Sequence, residues 1–432
     1  MNLRAARRRI VRKMTMMTAC GLDFGTSNST LGIAGHNQSA LVALEGDHTT
    51  LPSALFFDFE THRPAFGRAA IQAYVAGGEG RLMRSIKSVL GTSLIDEETL
   101  LGRRRIGFRD VIGLVIRHIK EVAEQAAGRE LTHVVHGRPV HFVDGDAAGD
   151  ARAETALAEI ARSCGFQEVS FQYEPIAAAL AYEAQISREE IALIADIGGG
   201  TSDFSIVRIG PERAGKADRM DDILANDGLR IGGTDFDRLL SLEAVMPHLG
   251  YRAPLSRAGL LTPNHLFVDL ATWAKINFLY TPGVLADVRR LTREVQQPEL
   301  LERLATVLEQ HLGHALAMRV EEAKIALSDA DAVAVDLSLV EEGLRAPTSR
   351  AGLARAVADP VVRLGAMTAD CLTQAGVTPD RIDAVFLTGG STLLPAVRAA
   401  ITGALPQARI VEGDKFGAVG YGLTLEAKRR YG

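Results

Sequence analysis

Several things are scarce in this 432-residue chain, and each scarcity removes a class of protein. Cysteine occurs three times, at Cys20, Cys164 and Cys371, far apart and odd in number. That argues against a disulfide framework or a cysteine metal cluster and points to a reducing, cytoplasmic setting. No uninterrupted apolar run reaches about 18 residues, so a membrane span is not expected. The net charge is -5, without the basic excess that a polyanion demands, so nucleic acid is not an expected partner. Acidic residues are missing before Asp23, whereas Arg4, Arg7, Arg8, Arg9, Arg12 and Lys13 precede it. That stretch lacks the apolar core of a secretory signal. Residues 1–17 read as a basic, disordered extension, or as a start placed upstream of Met14, Met16 or Met17, rather than as a targeting arm.

What remains is an ordinary globular composition, 47% hydrophobic and 23% charged, in a chain too long for one compact core. Two lobes are the natural expectation. One pattern occurs twice: Gly21-Leu22-Asp23-Phe24-Gly25-Thr26-Ser27-Asn28-Ser29 and Asp196-Ile197-Gly198-Gly199-Gly200-Thr201-Ser202-Asp203-Phe204. Each is an apolar run, then Asp-x-Gly, then small hydroxyl residues, then a second apolar run. This predicts two hairpins with glycine-rich turns, one from each lobe. Between them, Leu157, Ile160, Ala161 and Cys164 mark a helix over 147–164 that Gly165 stops. Glu174-Pro175 opens another, with the proline in its first turn. Strands are expected at 134–135, 169–172, 191–195 and 384–388, and strand–helix alternation argues α/β. Residues 282–316 look less regular, apart from a helix from Pro298 carrying Leu301, Leu304, Leu308 and Leu312. A final helix is expected near 417–430, its last turn bearing Lys428, Arg429 and Arg430.

The chemistry lies in the turns. Glycine lets backbone approach a ligand, and successive N–H groups then face an anion. Gly25, Thr26, Ser27 and Asn28 are candidates for one phosphate; Gly198, Gly199, Gly200 and Thr201 for another. Asp23 and Asp196 would be carboxylates beside a polyphosphate, which makes sense with a hydrated Mg²⁺ between them. A third pair, Gly389-Gly390-Ser391, follows an apolar strand and precedes a helix near Leu394-Pro395. His133, His136 and His141 read as strand histidines with structural partners rather than metal ligands.

These segments resemble the phosphate and adenosine motifs of the actin, hexokinase and heat-shock chaperone superfamily. Among its branches the chain is most similar to the DnaK-type heat shock protein 70 family, a resemblance that also covers Glu174-Pro175-Ile176-Ala177-Ala178-Ala179-Leu180-Ala181-Tyr182, Ile231-Gly232-Gly233-Thr234-Asp235-Phe236-Asp237 and Glu321-Glu322-Ala323-Lys324-Ile325-Ala326-Leu327-Ser328. It implies an α/β, two-lobed actin-like ATPase fold of duplicated ribonuclease H-like lobes around a nucleotide cleft. Lobe I would comprise 18–187 with an outer subdomain at 56–125 and the C-terminal helix 417–432. Lobe II would comprise 188–416 with an outer subdomain at 241–310. By the same resemblance Lys87 holds the γ-phosphate and the attacking water. Glu174 stands near water and metal, and Asp203 is a base or water-orienting group. Thr201 and Thr26 contact the γ-phosphate. Gly232 and Gly233 line the cleft, and Glu321, Lys324, Ser328, Gly389, Gly390 and Ser391 lie by the adenosine.

The chain departs from the family where two arginines clamp the adenine: Ile325 and Leu393 stand there, without a cation–π contribution. It also ends at Gly432, before any peptide-gripping β-sandwich. The expected function is a chaperone-like, slow Mg-dependent ATPase that switches a protein partner, a client or co-chaperone, between ATP and ADP states. The alternatives are a sugar or polyol kinase of the same superfamily and an actin-like filament or scaffold protein.

Overall fold

The computed structural model describes residues 18–35, 39–101, 104–143, 146–216, 218–257, 259–411 and 417–432. The basic extension expected at 1–17 lies outside them.

Two sheets, of six and five strands, share one five-strand plan. The first joins β1 (Ala19–Phe24), β2 (Asn28–Ile33), β3 (Ala40–Leu41), β4 (His133–Arg138) and β5 (Glu168–Tyr173) in the order β5-β4-β1-β2-β3, with Thr50–Pro52 added on β2. The second joins β6 (Glu190–Ile197), β7 (Ser202–Ile209), β8 (Ile223–Leu229), β9 (Ala384–Thr388) and β10 (Arg409–Val411) in the order β8-β7-β6-β9-β10. In each, the first strand runs antiparallel to the second and parallel to the fourth, and the fourth runs parallel to the fifth. Repeated strand order and direction are the duplication that the paired turns imply. This is the two-lobed, actin-like α/β fold.

Central strands β1 and β6 are almost wholly apolar because both faces are covered. On one side of the first sheet, Cys20, Leu22 and Phe24 share a core with α1 (Phe108–Ala127) and α2 (Ala147–Ser163). Asp146 caps α2 by accepting from Gly149 N at 2.8 Å. Two further helices lie between the sheets. α3 (Glu174–Glu183) sets Ile176 and Ala179 against Ala192, Ile194, Val207 and Ile209 of the second sheet. α7 (Ala418–Tyr431) sets Leu423 and Ala427 against Ala19 and Val135 of the first. α3 and α7 also pack on each other. The approach is close enough that a Cβ on Gly422 would strike the Ala177 backbone, and one on Gly21 would strike Leu423 and Thr424. Beyond the second sheet, α4 (Gly233–Leu240), α5 (Gly313–Ala326) and α6 (Ala358–Ala375) complete its core around Phe204, Phe236, Val320 and Cys371.

Away from the sheets, strands Ala54–Asp58, Pro64–Phe66 and Gly80–Arg84 with helix Gly67–Val75 enclose a small core of Ala54, Phe56 and Ala70. None of these strands was expected, because each is only three to five residues long. The region 282–316 is regular after all: helices Pro282–Thr292 and Pro298–Glu309 lead into α5. The first starts with proline behind Thr281, whose Oγ1 accepts from Val284 N at 3.3 Å. Pro298–Glu309 buries Leu301, Leu304 and Leu308 as the spacing predicts, whereas Leu312 falls just before α5. All three cysteines are free and buried. No helix among the described residues is long and apolar enough to cross a membrane.

Candidate functional site

The two glycine turns meet face to face. The β1–β2 turn carries Gly25, Thr26 and Ser27, with Asn28 opening β2; the β6–β7 turn carries Gly198, Gly199, Gly200 and Thr201. The turns approach closely enough that a Cβ on Gly199 would meet Ser27 Oγ and lie 3.2 Å from Ser27 Cβ. Each turn has its own ties. Ser53 Oγ donates to Gly25 O at 2.7 Å, and Gly198 N donates to Thr201 O at 2.9 Å.

Gly232 and Gly233 lie against the second turn. Gly233 N donates to Gly198 O at 2.9 Å and Thr234 N to Gly199 O at 2.8 Å, and a Cβ on Gly232 would meet the Gly199–Gly200 peptide. Gly389 follows β9 at φ 80°, a left-handed conformation, beside Ile197 O and Asp196, where no Cβ fits. Gly390 and Ser391 continue into a short 3₁₀ turn, Gly390–Leu393, that the sequence did not announce. Ser391 Oγ donates to Gly198 O at 3.3 Å. The three glycine segments thus form one open cradle.

Carboxylates gather at its base. Asp196 and Asp203 stand directly opposite each other across β6 and β7, and Thr388 flanks Asp196 on β9. Lys87 sits buried in the 3₁₀ turn Ile86–Val89 and donates from Nζ to Glu174 Oε1 at 2.7 Å. Burial pushes Asp23 up to about 8, and the charges of Glu174 and Asp196 add to it against Lys87. The same causes, burial first and Glu174 next, raise Asp196 to about 6. Burial and then Asp196 and Glu174 raise Asp203 to about 7, while Thr201 Oγ1 donates to it at 3.2 Å. Burial works against the charge of Lys87, but Glu174 and Asp23 hold it above the usual lysine range. Four carboxylates thus face one ammonium, a set short of positive charge.

Oxygen donors in that surplus fit a hard divalent cation. Among the described residues no three side chains are placed to hold a bare ion alone. A cation here would therefore share its shell with water and phosphate oxygens, with Asp23 and Asp196 as the nearest protein carboxylates. Within the cradle Gly200 leaves its backbone open to a phosphate: nothing lies within 4 Å of a Cβ there.

The adenosine-side expectations divide. Glu321 and Lys324 lie on α5, and Lys324 is buried, pairing with Asp237 Oδ1 at 2.8 Å and donating to Gly233 O at 3.3 Å. Its ammonium braces the cradle from behind. Asp237 closes the Ile231–Asp237 motif singled out in the sequence, but its pairing with Lys324 was not anticipated. Ser328 lies beyond the end of α5 rather than on it, because the helix closes at Ala326. Ile325 is 57% exposed, and Leu393 ends the 3₁₀ turn. The histidines have structural neighbours: on β4, His133 Nδ1 lies 2.9 Å from Thr132 Oγ1 and His136 Nδ1 lies 2.8 Å from Gly137 O; His141, expected on the strand, lies beyond its end at Arg138, with Nδ1 2.8 Å from Asp150. Burial lowers His136 to about 4, so its ring is neutral.

A family model described as Hsp70 protein matches residues 105–246 and 302–428. The matched segments carry Glu174, Asp196, Asp203, Gly232, Lys324 and the Gly389–Ser391 turn. Together they cover more than half of the chain, on a fold whose first sheet repeats the plan of the second. The chain belongs to the Hsp70 family.

Proposed function

We propose that this protein is a nucleotide switch: it binds Mg-ATP between the two glycine turns, hydrolyses it slowly, and signals the state of the cleft to a protein partner. ATP binding and hydrolysis in general come with membership of a family of chaperone-type ATPases. The observation that carries the finer reading is the contact of Ser27 with Gly199, which brings Asp23 and Asp196 into one cluster with Lys87, Glu174 and Asp203.

In this reading the turn amides of Gly25–Asn28 and Gly198–Thr201 hold phosphate oxygens, and the hydroxyls of Thr26 and Thr201 reach the γ-phosphate. A divalent cation, when bound, would neutralise phosphate charge between Asp23 and Asp196. Glu174 uses one of the three Nζ protons of Lys87, leaving two for a γ-phosphate oxygen and the attacking water. Asp203, raised to about 7, is poised to orient that water or accept its proton near neutral pH. Positioning and charge stabilisation then supply the rate, with the attack in line. In this reading water is the acceptor and turnover is slow. Gly389, Gly390 and Ser391 face the nucleoside, with Glu321 and Lys324 across from them. Contacts made only with the γ-phosphate bias closure of the lobes, which we assign to 18–187 with 417–432 and to 188–416.

Two measurements separate this from its competitors. ADP formation with sugars and polyols should show no dependence on them; substrate-dependent release would make the protein a kinase. Centrifugation with and without ATP should leave the protein in the supernatant; ATP-dependent sedimentation would make it a filament former.

A further inference from the structure

We propose that Arg138 is a positioning residue of this site, fixing Glu174 in the place from which Glu174 holds Lys87; this rests on the hydrolytic reading above. Arg138 is the last residue of β4 and stands directly opposite Tyr173, the last residue of β5. Glu174 follows Tyr173 at once and opens α3. On the neighbouring strand, Gly137 lays bare backbone against Glu174: a Cβ there would lie 3.3 Å from Glu174 Cγ and 3.5 Å from Oε1. The two strand ends therefore bracket the carboxylate that accepts from Lys87.

Both sheet strands stop here, so the chain beyond them needs other ties. The Arg138 guanidinium supplies them with all three of its nitrogens. Nε donates to Pro139 O at 3.1 Å, Nη2 to Val140 O at 3.2 Å, and Nη1 to Glu154 on α2. The guanidinium carbon also lies 5.0 Å from the centre of the Tyr173 ring and 5.4 Å from that of Phe142. The side chain is 14% exposed, and its planar fork is already shaped for these acceptors. Pro139 and Val140, held by the two carbonyl bonds, are walls of a cavity of about 240 Å³ that Glu174, Asp196 and Asp203 also line. Arg138 does not line that cavity. It grips the residue before Glu174 and the chain beside it, so its effect on the chemistry passes through Glu174.

Arg138 faces instead a groove of about 560 Å³ between β5 and α2, where the exposed Thr155, Glu159 and Arg162 open it to solvent. Truncating the side chain would leave two carbonyls and the Glu154 carboxylate beside that groove without their donor. A free guanidinium ion has the shape and the donors to replace it.

Arg138→Ala should lower kcat for Mg-ATP hydrolysis by about 10- to 100-fold while the nucleotide Kd stays within about 3-fold. Arg138→Lys should lose nearly as much, because one nitrogen cannot span Glu154 and both carbonyls. Millimolar guanidinium chloride should restore much of kcat to Arg138→Ala and add nothing to the wild type, whereas sodium chloride at equal concentration should restore neither variant. Wild-type kcat in Arg138→Ala or in Arg138→Lys overturns the assignment. So does a loss shared equally by kcat and affinity, or one that guanidinium leaves in place, since either makes Arg138 a residue of the fold alone. Wild-type protein that binds Mg-ATP and hydrolyses none overturns the hydrolytic reading and this role with it.

Discussion

At the scale of the residue, the proposed function rests on Lys87, and Asp23 carries an electrostatic cost. Lys87 holds Glu174 with one proton and has two to give, so Lys87→Ala should remove hydrolysis by about 100-fold or more while nucleotide affinity stays within a few-fold. Single-turnover rates beside equilibrium titration check this; equal loss of both would make Lys87 a binding or structural residue. Asp23 is raised to about 8 in the fold, against an ordinary carboxylate near 4. A carboxyl whose folded value is raised binds more protons folded than unfolded. Its ionisation therefore costs stability progressively as pH rises from about 4 to about 8. Asp23→Asn should accordingly stabilise the nucleotide-free protein by about 1–2 kcal/mol at pH 8 and by almost nothing at pH 4, allowing for screening by cleft water. Melting curves at the two pH values decide it; a variant less stable at pH 8 contradicts the account. The same variant should bind Mg-ATP more weakly. Asp23, Asp196 and Lys87 were legible in the sequence as residue types in motifs. The pairing of Asp237 with Lys324 and the Tyr74–His314 contact were not, because 87 and 240 residues separate the partners in the chain and no local pattern links them.

At the scale of the element, the turns are specified by glycines whose missing side chains have named neighbours. Gly199→Ala forces a Cβ onto Ser27 Oγ, and Gly389→Ala adds a left-handed φ to a collision with Ile197 O. Both should weaken nucleotide binding by about 10-fold or more while circular dichroism keeps the native helix content. Gly200→Ala meets nothing within 4 Å and should leave stability within about 0.5 kcal/mol of the parent. An unfolding midpoint that drops for Gly200→Ala as far as for Gly389→Ala would refute the distinction. The hairpins were readable because Asp-x-Gly with hydroxyls between apolar runs has few other solutions. Helix Pro282–Thr292 was not read: its Thr281-Pro282 start was present, but Gly283 and the charges on its exposed face blurred the apolar period. Short strands between 54 and 107 were hidden for a related reason, since strands of three to five residues hold too few alternations to count.

At the scale of the whole molecule, α3 and α7 form the seam between the two sheets, each packed on a different sheet and on the other. Arg429 of α7 reaches the loop beyond β7, donating to Gly215 O at 3.3 Å and Lys216 O at 3.4 Å. Gly422→Ala drives a Cβ into the Ala177 backbone and should cost about 1–3 kcal/mol, seen as a lower denaturation midpoint. An unshifted midpoint would mean the seam is looser than described. The duplicated architecture was legible from one repeated motif, whereas the layering of α3 against α7 needed the structure. The account stands or falls on one calorimetric titration of Mg-ATP into the wild-type protein and Asp196→Asn. It predicts a single saturable site in the wild type and at least about 10-fold weaker binding in the variant. No binding at millimolar Mg-ATP, or equal affinity in both proteins, would contradict it.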